Sequence, residues 1–583
     1  MRRRSASPVP PAPARSARRG WLPLTIGVLA MAWGLRAAAG QAWLCDDAFI
    51  SFRYAEHLAR GLGLVYNAGE RVEGFSNLLW TLLTALGMRL GVAPENGSIA
   101  WGLVCFAATL AALLADALAR PAAGAAARPW VPLACVLVAV HPDAQRFATG
   151  GLETSMFTFL VTAGVLLVLR GAGGVRAIAG SALAFALAAL TRPDGLLFAP
   201  LVAAWLLVSP AKVRAALPVF AGVFLAVWAP VTIARTLYYG DFLPNTWYAK
   251  SAGLAWYSQG WIYVRLFLAR SWPLALALPV VVAAGGAARF GKRPFPSEAL
   301  LPLLLAIVYT GFVLRVGGDF MYARLLVPVI PLLALSLARG LAALSPRHAN
   351  VSLALGLLAA AAVALAPNPL PDGALVSGIV DEAGIYTPAR MEATRAEGLA
   401  LRRFFAGLPV TVAIVGSQAA LAYYADPAVV IEAGAGLTDR HIAHQVLLAR
   451  GRVGHEKHAD VAYLLSRKVD FTFHHFASST LDLNATLPMC VIAFGSTPAR
   501  IVHWNPKLLS ELARRGARFE DFPRIVDAAA ARLDAQPDAD ARNAYARIKA
   551  FYFDFVSDPA HELPFRARLA RAAPPGRASL GAP

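Results

Sequence analysis

Long apolar stretches, broken by short segments of Arg, Pro and Gly, dominate the first 366 residues. Stretches of this length and composition are typical of membrane-spanning helices. Eleven are candidates: Trp21 to about Ala39 and the runs at 97–119, 129–141, 151–169, 177–191, 194–209, 215–234, 261–288, 298–315, 320–338 and 350–366. A twelfth stretch, Phe75 to Leu90, is predicted to be an interfacial or re-entrant helix, because a crossing there would disturb the alternation of the loops. The pattern predicts a polytopic α-helical membrane protein.

The pattern changes near residue 367, where charge rises and the apolar runs shorten to strand length. Strands are predicted at Val410–Val415, Ala428–Ile431, Val469–Phe473 and Met489–Phe494, alternating with helices at 387–407, 438–450, 457–467 and 541–556. This alternation indicates a C-terminal domain of mixed α/β character over 367–583. Residues 1–20, rich in Arg, Pro, Ser and Ala, are predicted to form a disordered basic tail.

Composition supports the membrane prediction. Only 15% of the 583 residues are charged and 57% are hydrophobic, with a mean hydropathy of +0.54. A soluble protein of this length would carry about a quarter charged residues. The formal net charge of +19 does not indicate nucleic-acid binding, because no basic stripe with interleaved aromatic residues is present. Cytoplasmic loops of membrane proteins collect Arg and Lys, which accounts for the excess of positive charge.

Basic residues mark one set of the predicted loops: Arg120/Arg128, Arg170/Arg176, Lys212/Arg214, Arg289/Lys292/Arg293 and Arg339/Arg347. The positive-inside rule places these loops and the N-terminal tail in the cytoplasm. With eleven crossings, the 367–583 domain lies outside the cytoplasm, as do the first external loop, 40–96, and the loops at 142–150, 191–195, 235–260 and 315–320. The Arg-rich start before Trp21 also resembles a signal peptide, and we predict a retained signal-anchor span.

Two adjacent carboxylates, Asp46 and Asp47, stand in the first external loop ahead of an apolar and aromatic segment. Beside a membrane face such a pair can take a proton from an incoming hydroxyl, or hold a divalent metal beside a phosphate. An Asp ahead of a helix is equally an N-cap with a favourable charge at the helix dipole. Both interpretations stay open. The helix that follows is predicted to lie on the membrane surface through Ile50, Tyr54 and Leu58.

The other external loops repeat this combination of ionisable and aromatic residues. The ionisable candidates are Glu153, Arg192, Asp194, Lys250, Asp319 and Arg324. Ionisable groups at membrane depth are costly, so they usually mark a pathway or a site. The alternative for Arg192/Asp194 and for Asp319/Arg324 is a structural ion pair that joins helices. Acids, cations and aromatic residues on one face suit an anionic lipid phosphate and a stacked sugar.

The C-terminal domain carries weaker signals. The segment Gly434–Leu437 follows a predicted strand, as a dinucleotide-binding loop would, but Asp439 stands where the third glycine is needed, so that interpretation fails. His455 is a candidate ligand contact, with a structural histidine as the alternative. The four cysteines form no Cys-x-x-Cys pair, so neither zinc nor dithiol chemistry is indicated.

Six segments together resemble a known group of enzymes. They are DDAFISFRYAEHLARGLGLVYNAGERVEGFSNLLW (Asp46–Trp80), GGLET (Gly150–Thr154), TRPDG (Thr191–Gly195), YYGDFLPNTWYAK (Tyr238–Lys250), VGGDFMYARLLVP (Val316–Pro328) and GHEK (Gly454–Lys457). These segments resemble, in the same order, the motifs of the terminal β-1,2-arabinofuranosyltransferases of mycobacteria and their wider bacterial relatives. Those enzymes are polyprenyl-phosphate-dependent glycosyltransferases of the GT-C fold. The resemblance spans most of the chain and is more specific for the fold than for the sugar.

The resemblance implies a GT-C transmembrane domain over 21–366. It also implies decaprenyl-phosphoryl-arabinofuranose, or a close analogue, as donor and an envelope glycan or glycoprotein as acceptor. The acidic pair of the family's first loop falls on Asp46 and Asp47, which makes one of them the expected catalytic carboxylate. Placement in the matching motifs adds binding candidates: Arg53, Glu73, Asn77, Glu153, Arg192, Asp194, Asn245, Lys250, Asp319, Arg324 and His455.

The prediction is therefore a multi-pass enzyme of the bacterial plasma membrane that transfers a sugar, expected to be arabinofuranose, on the extracytoplasmic side. Polyprenyl phosphate is the leaving group, so no nucleotide-binding fold is needed, and a divalent metal stays open as a cofactor. One alternative is a hexosyl or aminosugar transferase of the same fold acting on protein or lipid. Another is a transporter or lipid-linked-sugar flippase, which would be expected to show internal repeats and acids within its spans.

Overall fold

The structure is a computed structural model that describes residues 18–119, 131–170, 174–290, 296–344, 349–371, 373–416, 418–473 and 490–572. Several predictions lie outside these residues. They are the tail before residue 18, the basic loop residues Arg120, Arg128, Lys292, Arg293 and Arg347, and the start of the strand predicted at Met489.

Helices form almost all the regular structure of the described chain before residue 366. In order they are α1 Arg18–Gly40, α2 Ala48–Ala59, α3 Leu78–Arg89, α4 Pro94–Ala119, α5 Leu133–Val140, α6 Pro142–Arg146, α7 Thr154–Leu169, α8 Val175–Thr191, α9 Phe198–Val208, α10 Ala211–Arg214, α11 Leu217–Tyr239, α12 Asn245–Ala249, α13 Tyr257–Ala275, α14 Ala277–Phe290, α15 Ser297–Val316, α16 Val329–Leu344 and α17 Ala349–Leu365. Two short 3-10 helices, Pro193–Leu197 and Arg324–Leu326, precede α9 and α16.

Five helical segments of the described residues are long and apolar enough to cross a membrane: Trp21–Gly40, Pro94–Ala119, Ala211–Tyr239, Tyr257–Phe290 and Ser297–Val316. A helix needs about 20 residues to rise through roughly 30 Å of hydrocarbon. Six shorter apolar helices accompany them: Leu78–Arg89, Thr154–Leu169, Val175–Thr191, Pro193–Val208, Val329–Leu344 and Asn350–Leu365. The chain is a mostly helical, multi-pass membrane protein, and the number of eleven crossings remains a prediction.

The predicted apolar runs coincide with helices, with three corrections. In the run at 129–141, the described helix α5 covers only Leu133–Val140 and is too short to cross a membrane. The run at 261–288 is interrupted at Leu276, between α13 and α14. The run predicted at 320–338 becomes an α-helix only at Val329. Gly317 and Gly318, with φ of +89° and +77°, end α15, and Ala323, with φ of +62°, turns the chain again, so residues 320–328 form a loop and a 3-10 turn.

The uncertain stretch at 75–90 forms α3, which has only 12 residues. A helix of this length rises about 18 Å, which is too short for a crossing. Its N-terminal residues Trp80 and Thr81 are buried against the rest of the protein, whereas Leu82 and Leu86 are exposed. The length of α3 and its half-buried, half-exposed surface fit the interfacial or re-entrant helix that the sequence predicts.

The C-terminal region contains a mixed six-stranded sheet in the order β4-β3-β5-β7-β6-β8. Its strands are β3 Thr411–Ile414, β4 Val429–Glu432, β5 Phe471–Phe473, β6 Val491–Phe494, β7 Thr497–Ile501 and β8 Arg518–Phe519, and a small hairpin, β1 Leu375–Val376 and β2 Ile379–Val380, precedes them. Strand β3 pairs in parallel with β4 and β5, and the remaining pairs are antiparallel. The four predicted strands are therefore confirmed.

Helices flank this sheet: α18 Glu382–Ile385, α19 Pro388–Phe405, α20 Ala419–Ala425, α21 Arg440–Ala443, α22 Val461–Ser466, α23 Pro506–Arg514, α24 Phe522–Ala530, α25 Asp538–Ile548 and α26 Pro559–Arg571. The helix predicted at 438–450 is wrong, because α21 makes only one turn. Asp439 caps its start, and the Lys457 ammonium donates to the Ala443 carbonyl (2.6 Å), which a longer helix would use for its own backbone.

The first loop and the C-terminal region share one core. Helix α2 lies between α3 and α20, and its Phe49 and Phe52 rings pack on the Tyr423 ring at centroid distances of 5.5 and 6.3 Å. The prediction that α2 lies on the membrane surface is wrong, because Ile50 and Tyr54 are buried by the protein itself. Hydrogen bonds between the Tyr322 and Phe320 backbones and Val380 add a second junction. This junction fastens the β1–β2 hairpin to the loop after α15, which carries one of the motifs.

Candidate active site

Asp46 is held by a helix of the C-terminal region. Its two carboxylate oxygens accept the backbone N–H groups of Ala419 and Ala420, both at 2.9 Å, at the start of α20. Burial raises the pKa of the Asp46 carboxyl to about 6, and these two donors oppose that rise. Asp46 is therefore a cap, as one of the two sequence interpretations expected, but the helix that it caps is α20 rather than the adjacent α2.

Asp47 has a different environment from its neighbour. It precedes α2 with a helical backbone and forms no side-chain cap. Within the described part of the chain no group donates a hydrogen bond to its carboxylate, and the side chain is half-buried. The two neighbouring acids therefore differ. The Asp46 carboxylate is used to cap α20, whereas the Asp47 carboxylate can still accept a hydrogen bond from a ligand.

Asp47 lines an open cleft between the first loop, two later loops and the C-terminal sheet. The side of the membrane helices contributes Asp46, Asp47, Ile50, Lys250 and Phe320, and the C-terminal region contributes Ile414, Gly416, Ala419, Glu432, Ala435, Leu437, Gly454 and His455. Acids, a cation and an imidazole therefore meet there on a partly apolar lining. This composition suits a ligand that has both a charged group and a sugar face.

Glu432 is a cleft residue that the sequence analysis missed. It ends β4, and its carboxylate accepts the backbone N–H of Leu437 in the following loop. Burial and, to a smaller extent, the charge of Asp47 raise the pKa of the Glu432 carboxyl to about 8 against the effect of the Leu437 N–H, so the group is mostly protonated at pH 7. The position of Glu432 could have marked it in the sequence. Ligand sites of parallel sheets lie beyond the carboxyl ends of the strands, and Glu432 directly follows the strand predicted to end at Ile431.

Glu382, at the start of α18, is a second missed carboxyl beside the acidic pair. Burial and then the charges of Asp47 and Asp46 raise the pKa of the Glu382 carboxyl well above its usual value. Its Oε2 atom is buried without a hydrogen-bond partner among the described residues. No signal in the sequence marked this residue, because it lies in none of the six motifs.

His455 lies in the cleft, as the sequence predicts. Its Nδ1 is 3.1 Å from the Val453 carbonyl, which can only accept, and its ring meets the Phe320 ring edge-on at a centroid distance of 4.8 Å. Burial and the adjacent Arg452 cation lower the pKa of His455, so its ring is neutral at pH 7. The remaining ring nitrogen, Nε2, is then a hydrogen-bond acceptor.

Lys250 joins two of the predicted motifs at the cleft. Its side-chain carbons lie 3.7–3.9 Å from the position of a Cβ at Gly454, whose φ of +73° is in the left-handed region. Larger residues are strained at that φ, so Gly454 lets the loop approach the lysine. The YYGDFLPNTWYAK and GHEK segments, more than 200 positions apart in the chain, are thereby adjacent in space.

Glu153 is the centre of a buried ion-pair network below the cleft. Its Oε1 lies 3.3 Å from both Arg192 and Arg324, and its Oε2 accepts the Asn77 amide at 2.9 Å. Burial would raise the pKa of the Glu153 carboxyl, but the two guanidinium groups outweigh it and hold that pKa below its usual range. The network ties together the predicted segments GGLET, TRPDG and VGGDFMYARLLVP.

The two charged pairs of these segments are ion pairs, as the structural alternative expected. Arg192 contacts Asp194 through two hydrogen bonds of 3.0 and 2.9 Å, and Arg324 lies 3.4 Å from Asp319. The Tyr309 hydroxyl completes the first pair by donating to Asp194 at 2.5 Å. Burial would lower the pKa of Arg324, but the charges of Glu153 and Asp319, and to a smaller extent that of Asp47, raise it.

Two further predicted residues fasten the loops to the C-terminal region. The Arg53 guanidinium, which is 2% exposed, donates to the carbonyls of Tyr66 and Pro427 at 2.9 Å each. The Asn245 amide donates to the carbonyls of Gly436, Leu437 and Asp439 at 3.0, 2.7 and 3.3 Å. Both side chains are saturated with protein partners, and neither lines the cleft.

Glu73 lies at a second, open and mostly apolar cavity, where it forms an ion pair with Arg235. The cavity is lined by Glu73, Ser76, Leu78, Ala189, Leu190, Pro193, Leu196, Trp228, Val231, Thr232, Arg235, Phe242, Leu243 and Pro244. Burial raises the pKa of the Glu73 carboxyl to about 7, and Arg235 opposes that rise. The short helix α12 runs from this cavity, at Pro244, to the cleft, at Lys250.

A divalent metal remains open as a cofactor. Within the described ranges, no three His, Cys, Asp or Glu side chains come together in an arrangement that could hold a metal ion. The cleft carboxyls come from two segments, Asp46 and Asp47 from the first loop and Glu432 from the end of β4, and both oxygens of Asp46 already accept backbone N–H groups.

No protein-family model matches the chain. Two curated proteins named terminal β-(1→2)-arabinofuranosyltransferase match 54% of the chain: that of Mycobacterium tuberculosis is 30% identical over 349 residues, and that of Corynebacterium glutamicum is 29% identical over 347 residues. The chain covers 54% and 49% of their respective lengths, so it spans about half of these relatives.

Solved structures extend the comparison at the level of fold. The crystal structure of ArnT from Cupriavidus metallidurans bound to undecaprenyl phosphate superimposes with a TM-score of 0.54 at 15% identity, covering 83% of this chain and 98% of ArnT. The apo structure of the same protein gives a TM-score of 0.53 at 16% identity. The chain is thus a distant homologue of the terminal β-(1→2)-arabinofuranosyltransferases and has an ArnT-like fold.

Proposed function

We propose that this chain is a membrane glycosyltransferase that transfers a sugar from a polyprenyl-phosphate donor to a hydroxyl of an acceptor bound in the cleft. The observation that carries the proposal is the placement of Asp47, an acid without a hydrogen-bond donor among the described residues, in one cleft with Lys250 and a neutral His455. The distant homology to arabinofuranosyltransferases and the ArnT-like fold support the same reaction class.

Asp47 is the proposed general base. Its carboxylate takes the proton of the acceptor hydroxyl while that oxygen forms a bond to the anomeric carbon of the donor sugar. The bond between the anomeric carbon and the phosphate oxygen breaks, and polyprenyl phosphate leaves with the electron pair. Asp46 holds the backbone of the pair against α20 and thereby positions Asp47. A direct displacement of this kind inverts the configuration at the anomeric carbon.

Cations beside the cleft are proposed to hold the donor phosphate. Lys250 lines the cleft, and in the described residues its ammonium donates no hydrogen bond to the protein. Arg324 does not line the cleft, but its charge interacts with that of Asp47, although Glu153 and Asp319 are its ion-pair partners. A cation near the leaving oxygen stabilises the negative charge that develops there as the bond breaks.

The apolar cavity beside α11 is proposed to take the first isoprenoid units of the donor. Its lining is mainly aliphatic and aromatic, with the Arg235–Glu73 pair at one end. Helix α12 links the cavity to the cleft, and its five residues span about 8 Å at 1.5 Å per residue. That distance suits a phosphate at Lys250 whose lipid chain begins in the apolar cavity.

The cleft is proposed to face the extracytoplasmic side. Helix α7 begins directly after Glu153 and ends directly before Arg170, and α8 has Arg176 in its first turn and ends directly before Arg192. Basic residues therefore mark the helix ends opposite the cleft, and the positive-inside rule assigns those ends to the cytoplasm. An envelope glycan or glycoprotein is then the acceptor class, and the names of the two relatives favour arabinofuranose as the sugar.

The proposal is tested by transfer in nanodiscs from synthetic polyprenyl-phosphoryl-arabinofuranose to an arabinan acceptor, with wild type, Asp47→Asn and a control variant, Glu392→Gln. Glu392 is exposed on α19, so its substitution leaves the cleft unchanged. Transfer by wild type and by Glu392→Gln, with loss in a folded Asp47→Asn variant, is the expected result.

Other outcomes separate the alternatives. Transfer from a hexose- or aminosugar-linked donor, and none from the arabinose donor, would support the assignment as a glycosyltransferase and contradict arabinofuranose as the sugar. Movement of an intact labelled lipid-linked sugar across proteoliposomes, without transfer, would identify a flippase instead. Equal activity of Asp47→Asn and wild type would remove Asp47 from the mechanism.

A further inference from the structure

We propose that two adjacent loops, residues 241–256 and 440–450, insert apolar side chains into the interfacial region of the lipid bilayer beside the cleft. These loops are called the interfacial loop pair below. Their tips carry large apolar residues that the protein leaves uncovered: Leu448 is 95% exposed, Val446 80%, Phe242 59% and Leu254 53%. Apolar residues exposed together in this way mark a contact surface rather than ordinary protein surface.

The interfacial loop pair is a built structure, because its two loops fasten each other. The Tyr248 ring stacks on the His444 ring at a centroid distance of 4.0 Å, and the Arg450 guanidinium lies 4.8 Å from the centre of the Trp256 ring. The Lys457 ammonium donates to the carbonyls of Tyr248 (2.7 Å) and Ala443 (2.6 Å), one from each loop. The exposed side chains therefore project from a scaffold that is already ordered.

The surface continues the lipid-facing surface of the membrane spans. The 241–256 loop leaves the span that ends at Tyr239 and enters the span that begins at Tyr257. Exposed residues on these two spans, Leu237 and Trp261 among them, have no protein cover and are expected to contact lipid. Tyr257 and Trp261 are aromatic residues at a span end, where amphipathic rings favour the headgroup region.

The polar groups of the interfacial loop pair are compatible with lipid as the occupant. The Arg440 side chain is 59% exposed and lies 3.7 Å from Asp241, and Arg450 pairs with the buried Glu456, so both cations have carboxylate partners. Apolar tips beside a charged and polar base are the pattern of segments that lie in the membrane interface. The exposed surface is continuous with the lipid-facing surface of the spans. A site for a soluble partner protein would not require that continuity, so lipid is the favoured occupant.

Insertion would fix the height of the cleft relative to the membrane. The same loops carry Lys250 and lead to His455, so the cleft would lie near the depth of lipid phosphates. This consequence rests on the proposed function, whereas the insertion itself does not. A failure of the transfer reaction would therefore leave the lipid contact intact.

The test uses the full-length protein labelled at a single cysteine. The native cysteines, Cys45, Cys105, Cys135 and Cys490, are all buried, so a thiol introduced by Leu448→Cys is selectively accessible to an environment-sensitive fluorophore. The matched control is Leu563→Cys on α26, which is also exposed, and whose neighbour Glu562 accepts hydrogen bonds from Tyr545 and Arg566 of the C-terminal region. Both proteins are placed in nanodiscs with anionic lipid, with and without lipids nitroxide-labelled near the headgroup.

We expect nitroxide lipids to lower the emission of the Leu448 probe at least about twofold and to leave the Leu563 probe unchanged, because an inserted side chain lies among the acyl-chain and headgroup boundary atoms. Aqueous iodide should quench the Leu563 probe more strongly. A second variant, Val446→Cys, repeats the measurement if the first does not fold. Each labelled protein is required to elute as a single species before it is measured.

Two results would overturn the proposal. One is equal quenching of the Leu448 and Leu563 probes by iodide, with no effect of nitroxide lipid. The other is protection of the Leu448 probe from both quenchers in a manner that depends on protein concentration, which would assign the surface to a second copy of the chain.

Discussion

The carboxylate of Asp46 accepts the backbone N–H of Ala420 at 2.9 Å, across 374 positions of the chain. The other oxygen of the same group takes the N–H of Ala419, so the first loop caps a helix of the C-terminal region. Asp47 is left with its carboxylate in the cleft. The pair therefore divides into a positioning residue and a candidate base, and the two are expected to respond differently to substitution.

Asp47→Asn is expected to lower the rate of sugar transfer by about 10²–10⁴-fold, because an amide cannot accept the proton of the acceptor hydroxyl. Thermal stability should be nearly unchanged, since no described group donates to this carboxylate. Initial rates and melting temperatures of the purified variant measure both effects. A large drop in melting temperature with the rate per folded molecule unchanged would contradict the assignment.

Asp46→Ala is expected to act chiefly on stability. Loss of a helix-capping carboxylate costs about 1–2 kcal/mol, and here it also loosens the contact between the first loop and α20. Asp46→Asn should lose less, because the amide oxygen still accepts one backbone N–H. Melting curves of the two variants in the same detergent give this order, and the reverse order would exclude a capping role.

Glu432→Gln is expected to change how stability depends on pH. The pKa of Glu432 is raised to about 8 from the ordinary 4.5, so the folded protein holds this proton more tightly than the unfolded chain. Its favourable contribution is complete below about pH 4.5 and is lost as pH rises through about 8, at up to about 1.4 kcal/mol per pH unit. Glu432→Gln should therefore show a flatter decline of melting temperature between pH 5 and pH 8. Parallel curves for the variant and wild type would exclude this titration.

Arg192→Met is expected to destabilise the protein by about 3–5 kcal/mol, because Asp194 and Glu153 lose a buried cation. Adding Asp194→Asn should restore part of that loss by removing one uncompensated charge. Arg176→Met, at an exposed residue on the opposite end of α8, is the matched control. If Arg192→Met instead folds normally and only raises the KM for donor, the guanidinium contacts donor, as the sequence predicts.

Lys250→Met is expected to raise the KM for the lipid-linked donor by about tenfold or more, since a charge-assisted contact with phosphate is lost. Lys250→Arg keeps the charge and should recover most of the affinity. Arg440→Gln removes an exposed cation from a neighbouring loop and serves as the control. Equal KM values for Lys250→Met and wild type would place the phosphate elsewhere.

Much of the architecture was predictable from local patterns. The apolar runs coincide with helices, and the strands Thr411–Ile414, Val429–Glu432, Phe471–Phe473 and Val491–Phe494 fall within the predicted stretches or extend one residue beyond them. A membrane-spanning helix and a buried strand each require apolar residues over a characteristic length and spacing. This pattern can be recognised within the segment, without knowledge of the rest of the chain. Boundaries failed where a contact from elsewhere decided them, as at α21, where Lys457 takes the last carbonyl.

The sequence by itself determined the membrane class, the mixed C-terminal sheet and the motifs, including Asp47, Lys250 and His455 of the cleft. Only the tertiary structure decided that Asp46 caps α20, that Asn245 and Arg53 fasten loops, and that Glu432 joins the cleft. The reason is physical. The sequence shows which chemical group a residue carries and which residues adjoin it. The role of that group depends on the hydrogen-bond donors and charges that surround it in the fold. Here these come from segments up to 374 positions away.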